Sequence, residues 1–245
     1  MLKIEQLKVN YPDGNQVLDE VSFQINENET IGVVGANGAG KSTLLMSIVG
    51  LLLPIAGSIT IDGTEVNKKN LKLIRERIGI VMQDPDDQLF MPTVYDDIAF
   101  GLRNYGVNEE TIKNIIDYIM KTLDIERLKL QHTQKLSGGE KRIVAIATVL
   151  AMEPSLILFD EPTSFLDPKT RRNLMKLLKN ITTSKLIATH DLDMALELCD
   201  RVIILKEGKV FATGLASEIL RNEELLINAG LELPYCLQNS NFKST

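Results

Sequence analysis

The sequence predicts an α/β protein: buried parallel strands alternating with helices, antiparallel strands at the N-terminus and a helical insertion in the middle. Three observations carry this. The runs "TIGVV", "RIGIVM", "SLILF" and "KLIAT" read as short buried strands. The first 25 residues alternate apolar and polar side chains, as strands with one wet face do. From Asn108 to about Leu128, and again after Ser137, apolar residues recur at helical spacing instead.

Taken in order, "LKIEQLKVNY" and "QVLDEVSFQI" flank the turn "PDGN" and pair antiparallel. "TIGVVG" leads through a glycine-rich loop into the helix "KSTLLMSIVGLL". "GSITIDGTEV" is a hairpin turning at Asp62-Gly63. "KKNLKLIRER" (68–77), the densest basic run, reads as a solvated, partly helical surface. "RIGIVM" ends at "QDPDDQLF" (83–90), three carboxylates beside a Leu-Phe pair, expected to be exposed. "NEE" at 108–110 caps a helix with an acidic first turn, and "SGGEKRIVAIATVLAM" is a helix opening on Ser-Gly-Gly. "SLILFDEP", "DPKTRRNLMKLLKNI", "KLIATH" and "DLDMALELC" follow as strand, helix, strand and helix. "RVIILKEGKVFATG" is a late hairpin around Glu207-Gly208, and the last thirty residues form a short helical tail. The expected division is one domain over 1–230, its helical subdomain inserted at about 84–150, and a tail over 231–245.

Composition narrows the function. A chain of 245 residues, 44% hydrophobic and 24% charged, can bury a large core. Its net charge of -6 argues against a nucleic-acid surface. Neither a signal region nor an apolar run of the roughly 18 residues that span a membrane is visible, so a soluble chain is expected, with any membrane role reached through a partner. Two cysteines, Cys199 and Cys236, argue against a disulfide framework and fit a reducing cytosol.

"GANGAGKS", Gly35 to Ser42, fits the phosphate-binding loop and lies between a strand and a helix, as that motif requires. Its glycines let backbone N–H groups curl around phosphate oxygens, and the helix start adds partial positive charge. Lys41 supplies a point charge to the β- and γ-phosphates, and Ser42 offers its hydroxyl to Mg²⁺. The nucleotide-binding set is Gly35, Asn37, Gly38, Gly40, Lys41, Ser42 and Thr43. Such a loop alone also suits a nucleotide kinase or a GTPase. Ser137, Gly138 and Gly139 open a second helix and so a second anion-receptive end. "LILFDE" ends a strand in two carboxylates: Asp160 to hold Mg²⁺ through its water shell, Glu161 to orient or deprotonate the attacking water. Pro162 is expected to keep Glu161 extended.

The order "GANGAGKST", Gln83, "LSGGE", "LILFDE", "SFLD", His190 resembles the ATP-binding cassette (ABC) ATPases from Tyr11 to the late hairpin. The resemblance implies an ABC-type core with an N-terminal antiparallel β subdomain and a helical signature subdomain. It also implies ATP and Mg²⁺ as ligands, and a head-to-tail homodimer or a heterodimer with a related ATPase. Ser137 and Gly139 would then meet the γ-phosphate of the partner's nucleotide, with Asp167 across the same interface. His190 looks like the switch histidine, Gln83 the coupling glutamine near Mg²⁺ and the lytic water, and Tyr11 the aromatic that stacks on adenine. Phe165 departs from the family, which usually has a small residue there, and Glu140 replaces a commoner Gln.

The stretch "QDPDDQLFMPTVYDDIAFG", with "LSGGEKR" and the tail "EELLINAGLELP", is similar to the ATPases of energy-coupling factor importers and their cobalt and nickel relatives. That implies a peripheral protein on the cytoplasmic face of the cell membrane, driving uptake of a metal ion or vitamin. Its partners would be a transmembrane coupling subunit and a membrane substrate-binding subunit. Asp84, Asp86, Asp87, Leu89 and Phe90 are the expected docking residues. The alternatives are the ATPase of another importer or exporter, and a soluble ABC ATPase.

Overall fold

The computed structural model describes residues 1–11 and 13–238, and two sheets organise them. In the first, β1 (Leu2–Asn10) lies between β2 (Gln16–Ile25) and β4 (Ala56–Ile61), with β5 (Thr64–Glu65) at the edge, all antiparallel. β1 buries Leu2 and Ile4, then Leu7 and Val9. The change of phase falls at a register shift between Ile4 and Leu7, where Gln6 takes φ 48°. An extra residue there turns the later pair back to the core side.

The second sheet has the order β10-β9-β3-β8-β7-β6. β3 (Thr30–Val34), β6 (Ile78–Val81), β7 (Leu156–Asp160), β8 (Ser184–Thr189) and β9 (Arg201–Lys206) run parallel, and β10 (Lys209–Leu215) turns back against β9. Both faces are covered, so the apolar runs are continuous and successive residues serve different cores. Ile157, Phe159 and Ile187 pack with the helices, while Leu156, Leu158 and Leu186 pack with the first sheet. Each such side chain, fully buried, stabilises by about 1.5–3 kcal/mol.

Helix α1 (Lys41–Ile48) fills the space between the sheets, and α2 (Leu71–Arg77) lays Ile74 on the same core. On the other side, α3 (Val94–Asn104), α4 (Glu109–Thr122) and α5 (Gly138–Leu150) share one core with α6 (Pro168–Asn180) and α7 (Leu192–Leu198). Short helices α8 (Ala216–Ile219), α9 (Glu223–Asn228) and α10 (Tyr235–Gln238) form the tail, whose last seven residues, 239–245, lie outside the described residues. No described helix is long and apolar enough to cross a membrane.

The turn between β9 and β10 ties the sheets together. The Gly208 carbonyl accepts from Asp19 N–H at 2.9 Å, and its N–H donates to Ala39 O at 3.2 Å. Gly208 has φ 74°, and a Cβ there would lie 2.1 Å from Val17 O, so no larger residue fits.

Two sequence expectations are corrected. Helix α3 is a separate element that the periodicity reading passed over. Leu89 is not a free contact residue: a 3₁₀ turn over Pro85–Asp87 folds the chain back, and Leu89 enters the helical core at 7% exposure. Phe90 alone stays out, 63% exposed, edge-on to Phe100 at 4.8 Å between centroids.

Candidate nucleotide site

The loop after β3 is shaped by its glycines. Gly38 and Gly40 take φ 80° and 103°, and a Cβ on Gly35 would lie 2.3 Å from Leu205 O on β9. Asn37 sits exposed at the loop tip. Helix α1 then begins with no side-chain cap, whereas α3 to α7 are capped by Thr93, Asn108, Ser137, Asp167 and Asp191. The first amides of α1 are therefore open to an external acceptor, the arrangement that binds phosphate. Lys41 Nζ donates to the loop's own carbonyls, Gly35 O at 2.8 Å and Ala36 O at 3.3 Å. Burial pushes its pKa down, so its charge is poorly solvated and favours an anion at that point. Tyr11, half-exposed, lies beside the helix start, its hydroxyl 3.1 Å from Thr43 Oγ1.

Asp160 and Glu161 follow from the end of β7. Ser42 Oγ donates to Asp160 Oδ1 at 3.3 Å, and burial raises the Asp160 pKa. Among the described residues, no three His, Cys, Asp or Glu side chains group to hold a metal by themselves. The donor set of hydroxyl and carboxylate oxygen nevertheless fits Mg²⁺, which keeps waters and is completed by substrate phosphates.

Glu161 is buried and held from three sides. Its Oε2 accepts from Thr189 Oγ1 at 3.1 Å and from His190 N–H at 3.2 Å, and lies 2.9 Å from His190 Nδ1. Its Oε1 is 3.9 Å from Lys41 Nζ. The backbone is not extended as the following proline suggests, for Glu161 has φ 44°. Tertiary bonds override the local preference: Glu161 N–H donates to Ala188 O at 2.9 Å while the carboxylate is anchored on the end of β8. The His190 side chain is exposed and lines a groove of about 920 Å³.

The remaining predicted residues form a second cluster. Ser137 caps α5 in a reciprocal box: its N–H and its hydroxyl both donate to Glu140 Oε2, at 2.9 and 2.8 Å, and Ser137 Oγ accepts from Glu140 N–H. Those bonds, with Arg127 at 2.7 Å, hold the Glu140 carboxyl below its usual pKa. Gly138 is open, and Gly139 is pressed on α6, where a Cβ would lie 2.6 Å from Thr170 Cγ2. Asp167 caps α6 through Lys169 and Thr170 N–H. Gln83 is exposed, and the Met82 and Gln83 carbonyls accept from Arg142 of α5. No described hydrogen bond or ion pair joins Ser137 or Asp167 to Lys41 or Glu161.

Phe165, between the two clusters, is 95% exposed at φ 63°. In the acidic turn, the Asp84 carboxylate accepts from Asp86 N–H and Asp86 pairs with Lys141; Asp87 donates its N–H to Asp84 O, and its carboxylate has no partner among the described contacts. His132 is exposed. Sequence reasoning missed Thr189, Arg142, Arg171 and Asp191. Only Asp191 carried a local signal, an acid before an apolar helical run.

Residues 18–164 match the protein family described as ABC transporter. A putative ABC transporter ATP-binding protein of Geobacter sulfurreducens is 47% identical over 93% of this chain and 92% of its own. An energy-coupling factor transporter ATP-binding protein of Carboxydothermus hydrogenoformans is 42% identical over 95% and 87%. Among solved structures, cbiO1 of Clostridium perfringens, part of the ABC transporter complex cbiONQ, shares the fold at a TM-score of 0.84, 40% identical, covering 98% of both chains. The ATP-binding cassette MJ0796, in a dimeric post-hydrolysis state with ADP and Pi, does so at 0.79 and 30% identity, over 88% of this chain and 99% of that one. The open α1 loop, the acidic end of β7 and these relatives agree: the chain belongs to the ABC transporter family, as an ATP-hydrolysing cassette.

Proposed function

We propose that this chain is the ATPase of an energy-coupling factor importer, acting as one of two cassettes on the cytoplasmic face of the membrane. The class rests on the resemblance to the Carboxydothermus protein along nearly the whole chain. The cargo that this reading favours is a cobalt or nickel ion or a vitamin, handled by a separate membrane substrate-binding subunit. Hydrolysis rests on one observation, the buried Glu161 carboxylate held between Thr189, His190 and Lys41.

In this reading the α1 amides and Lys41 bind the nucleotide phosphates, Lys41 exchanging its two loop carbonyls for phosphate oxygens. Ser42 and Asp160, with Gln83 brought in, would hold Mg²⁺, which offsets phosphate charge when bound. Glu161 takes the proton of the attacking water, His190 keeps the carboxylate aimed, and Tyr11 covers the base. Ser137, Gly138, Gly139 and Asp167 have no partner in the first cluster and serve the nucleotide of the second cassette.

The membrane contact in this reading is Phe90 and Phe100 with Asp87, an apolar edge beside a free carboxylate. It would receive a basic amphipathic helix of the transmembrane coupling subunit. Pull-down of that subunit from mild detergent tests it, using Phe90→Ala/Phe100→Ala and Asp87→Ala, each beside an ATP-affinity control. We expect the aromatic pair to lose the partner while ATP affinity stays. Retention of the partner at wild-type level by both variants would refute the docking surface.

A further inference from the structure

The bonds that hold His190 do not stop at Glu161. Asp191, the next residue, is gripped from α6 by Arg171: Nε to Oδ2 at 3.0 Å, and Nη2 to Oδ1 at 3.1 Å and to Oδ2 at 2.8 Å. Thr163 Oγ1, in the loop after Glu161, donates to Asp191 Oδ2 at 3.2 Å. Asp191 N–H donates to Thr189 Oγ1 at 2.9 Å, and that hydroxyl in turn donates to Glu161. Asp191 Oδ1 also caps α7 through Met194 N–H at 2.9 Å. Residue 190 therefore sits between two anchors, the buried Glu161 carboxylate and a carboxylate clamped by a guanidinium. An Arg–carboxylate fork fixes direction as well as distance, which a single ammonium does not.

The residue before Arg171 is Thr170, whose methyl group is the one that leaves Gly139 no room for a Cβ. One turn of α6 thus lies against Gly139 of the Ser137 end of α5 on one side and grips the Asp191 carboxylate, next to His190, on the other.

We propose that Arg171 is a positioning residue: its fork on Asp191 sets His190 against Glu161, and the same α6 turn joins the Ser137–Gly139 loop to that hydrolytic pair. The inference rests on the reading of Glu161 and His190 given above. Arg171 touches neither nucleotide nor water in this scheme. It acts through Asp191.

The test uses the full chain with Mg·ATP. Arg171→Ala should lower kcat by on the order of tenfold to a hundredfold, with KM for ATP within about twofold, because misplacement of a reacting group costs turnover rather than binding. Asp191→Asn, which can still cap α7, should lose as much, and the double variant should be no worse than either single one. Arg171→Lys should recover only part of the loss. A spectroscopic reading separates positioning from general loosening. The chain has two histidines, so the His190 ring resonances should move in Arg171→Ala while those of His132 stay. Unchanged kcat in Arg171→Ala and Asp191→Asn, multiplicative losses in the double variant, or equal movement of both histidines would overturn the proposal. If Arg171→Ala does not fold, the Asp191→Asn and Arg171→Lys arms decide by the same criteria. Glu161→Gln is the control: full activity there removes the underlying reading, whereas loss there with normal Arg171 variants removes only the clamp.

Discussion

Helices α1 and α5 both begin at glycine-rich loops, yet their N-termini are in opposite states. Helix α1 has no side-chain cap, its lysine is folded onto loop carbonyls, and the acids of β7 stand beside it. Helix α5 is closed by its own Ser137–Glu140 box, which Arg127 reinforces. In the proposed reading the first end binds a nucleotide with groups of its own chain. In that reading the second end exchanges its cap bond for an external one, because the Ser137 hydroxyl already serves Glu140, whereas at the first end only Lys41 gives up internal bonds. An uncapped helix end can be completed by water or by a ligand, while a side-chain cap adds stability of its own. An end that is closed by a hydroxyl and a carboxylate lies between those cases, stable alone and convertible.

The largest effects come from spoiling one end at a time. Lys41→Ala should cost roughly 1.5–3 kcal/mol of ATP affinity, about tenfold to a hundredfold, since a charged hydrogen-bond donor to phosphate is lost. Ser137→Arg should leave ATP affinity within about threefold yet abolish turnover. Mixing the two inactive chains should restore activity, because a mixed pair holds one intact α1 loop facing one intact α5 end. If mixing restores nothing while mixed pairs form, the two ends do not meet across chains and the comparison loses its functional meaning.

A smaller effect comes from the closure itself. Glu140→Gln keeps an acceptor for the Ser137 N–H but removes the charge that competes with phosphate. Turnover at subsaturating ATP should rise about twofold to tenfold, the worth of one ordinary hydrogen bond. A fall instead would mean that the carboxylate helps the α5 end rather than restrains it. The exposed Arg127 partner contributes little to stability in either case.

The smallest effect concerns the open end without ligand. Burial raises the Asp160 pKa, so the folded state holds that proton more tightly than the unfolded chain does. Its contribution to stability therefore falls as pH rises from the ordinary carboxylate range through the raised value. Asp160→Asn has no proton to lose there. Melting curves across mildly acidic to neutral pH should show the variant gaining on the wild type as pH rises, with Mg·ATP stabilising the wild type more than the variant. Parallel curves would mean that the carboxylate is solvated well enough to ionise normally.

Much of this was legible in the sequence, for a physical reason. Strand–loop–helix junctions write their chemistry locally, so Gly35 to Thr43, Asp160, Glu161 and His190 stand out as candidates by position. What stayed hidden depends on contacts distant in sequence. Arg142 finds the carbonyls of Met82 and Gln83 across about sixty residues, and Arg171 finds Asp191 across twenty. Leu89 reads as exposed until the turn at Pro85–Asp87 folds it under. The φ of Glu161 opposes a local rule because Ala188, Thr189 and His190 bind it more strongly than a proline directs it. Helix α3 did carry a start signal, Thr93 capping Asp96 N–H, but it lay within a stretch read for its surface chemistry.

The order of the second sheet has a consequence for how this site tolerates change. Lys41 follows the loop after β3, Asp160 and Glu161 stand at the end of β7, and His190 comes just after β8; they are far apart in the chain, yet β3, β8 and β7 are direct neighbours. The ladder between those strands is thus the ruler that measures one functional group against the next. Its smallest division is one residue, about 3.3 Å, and a slip by one also turns every side chain to the opposite face. A hydroxyl contact of 3.1 Å on Glu161 cannot survive an error of that size. Length variation should accordingly be forgiven in the surface turns and forbidden within β3, β7 and β8, where a deletion would missize the site even in a chain that still folds.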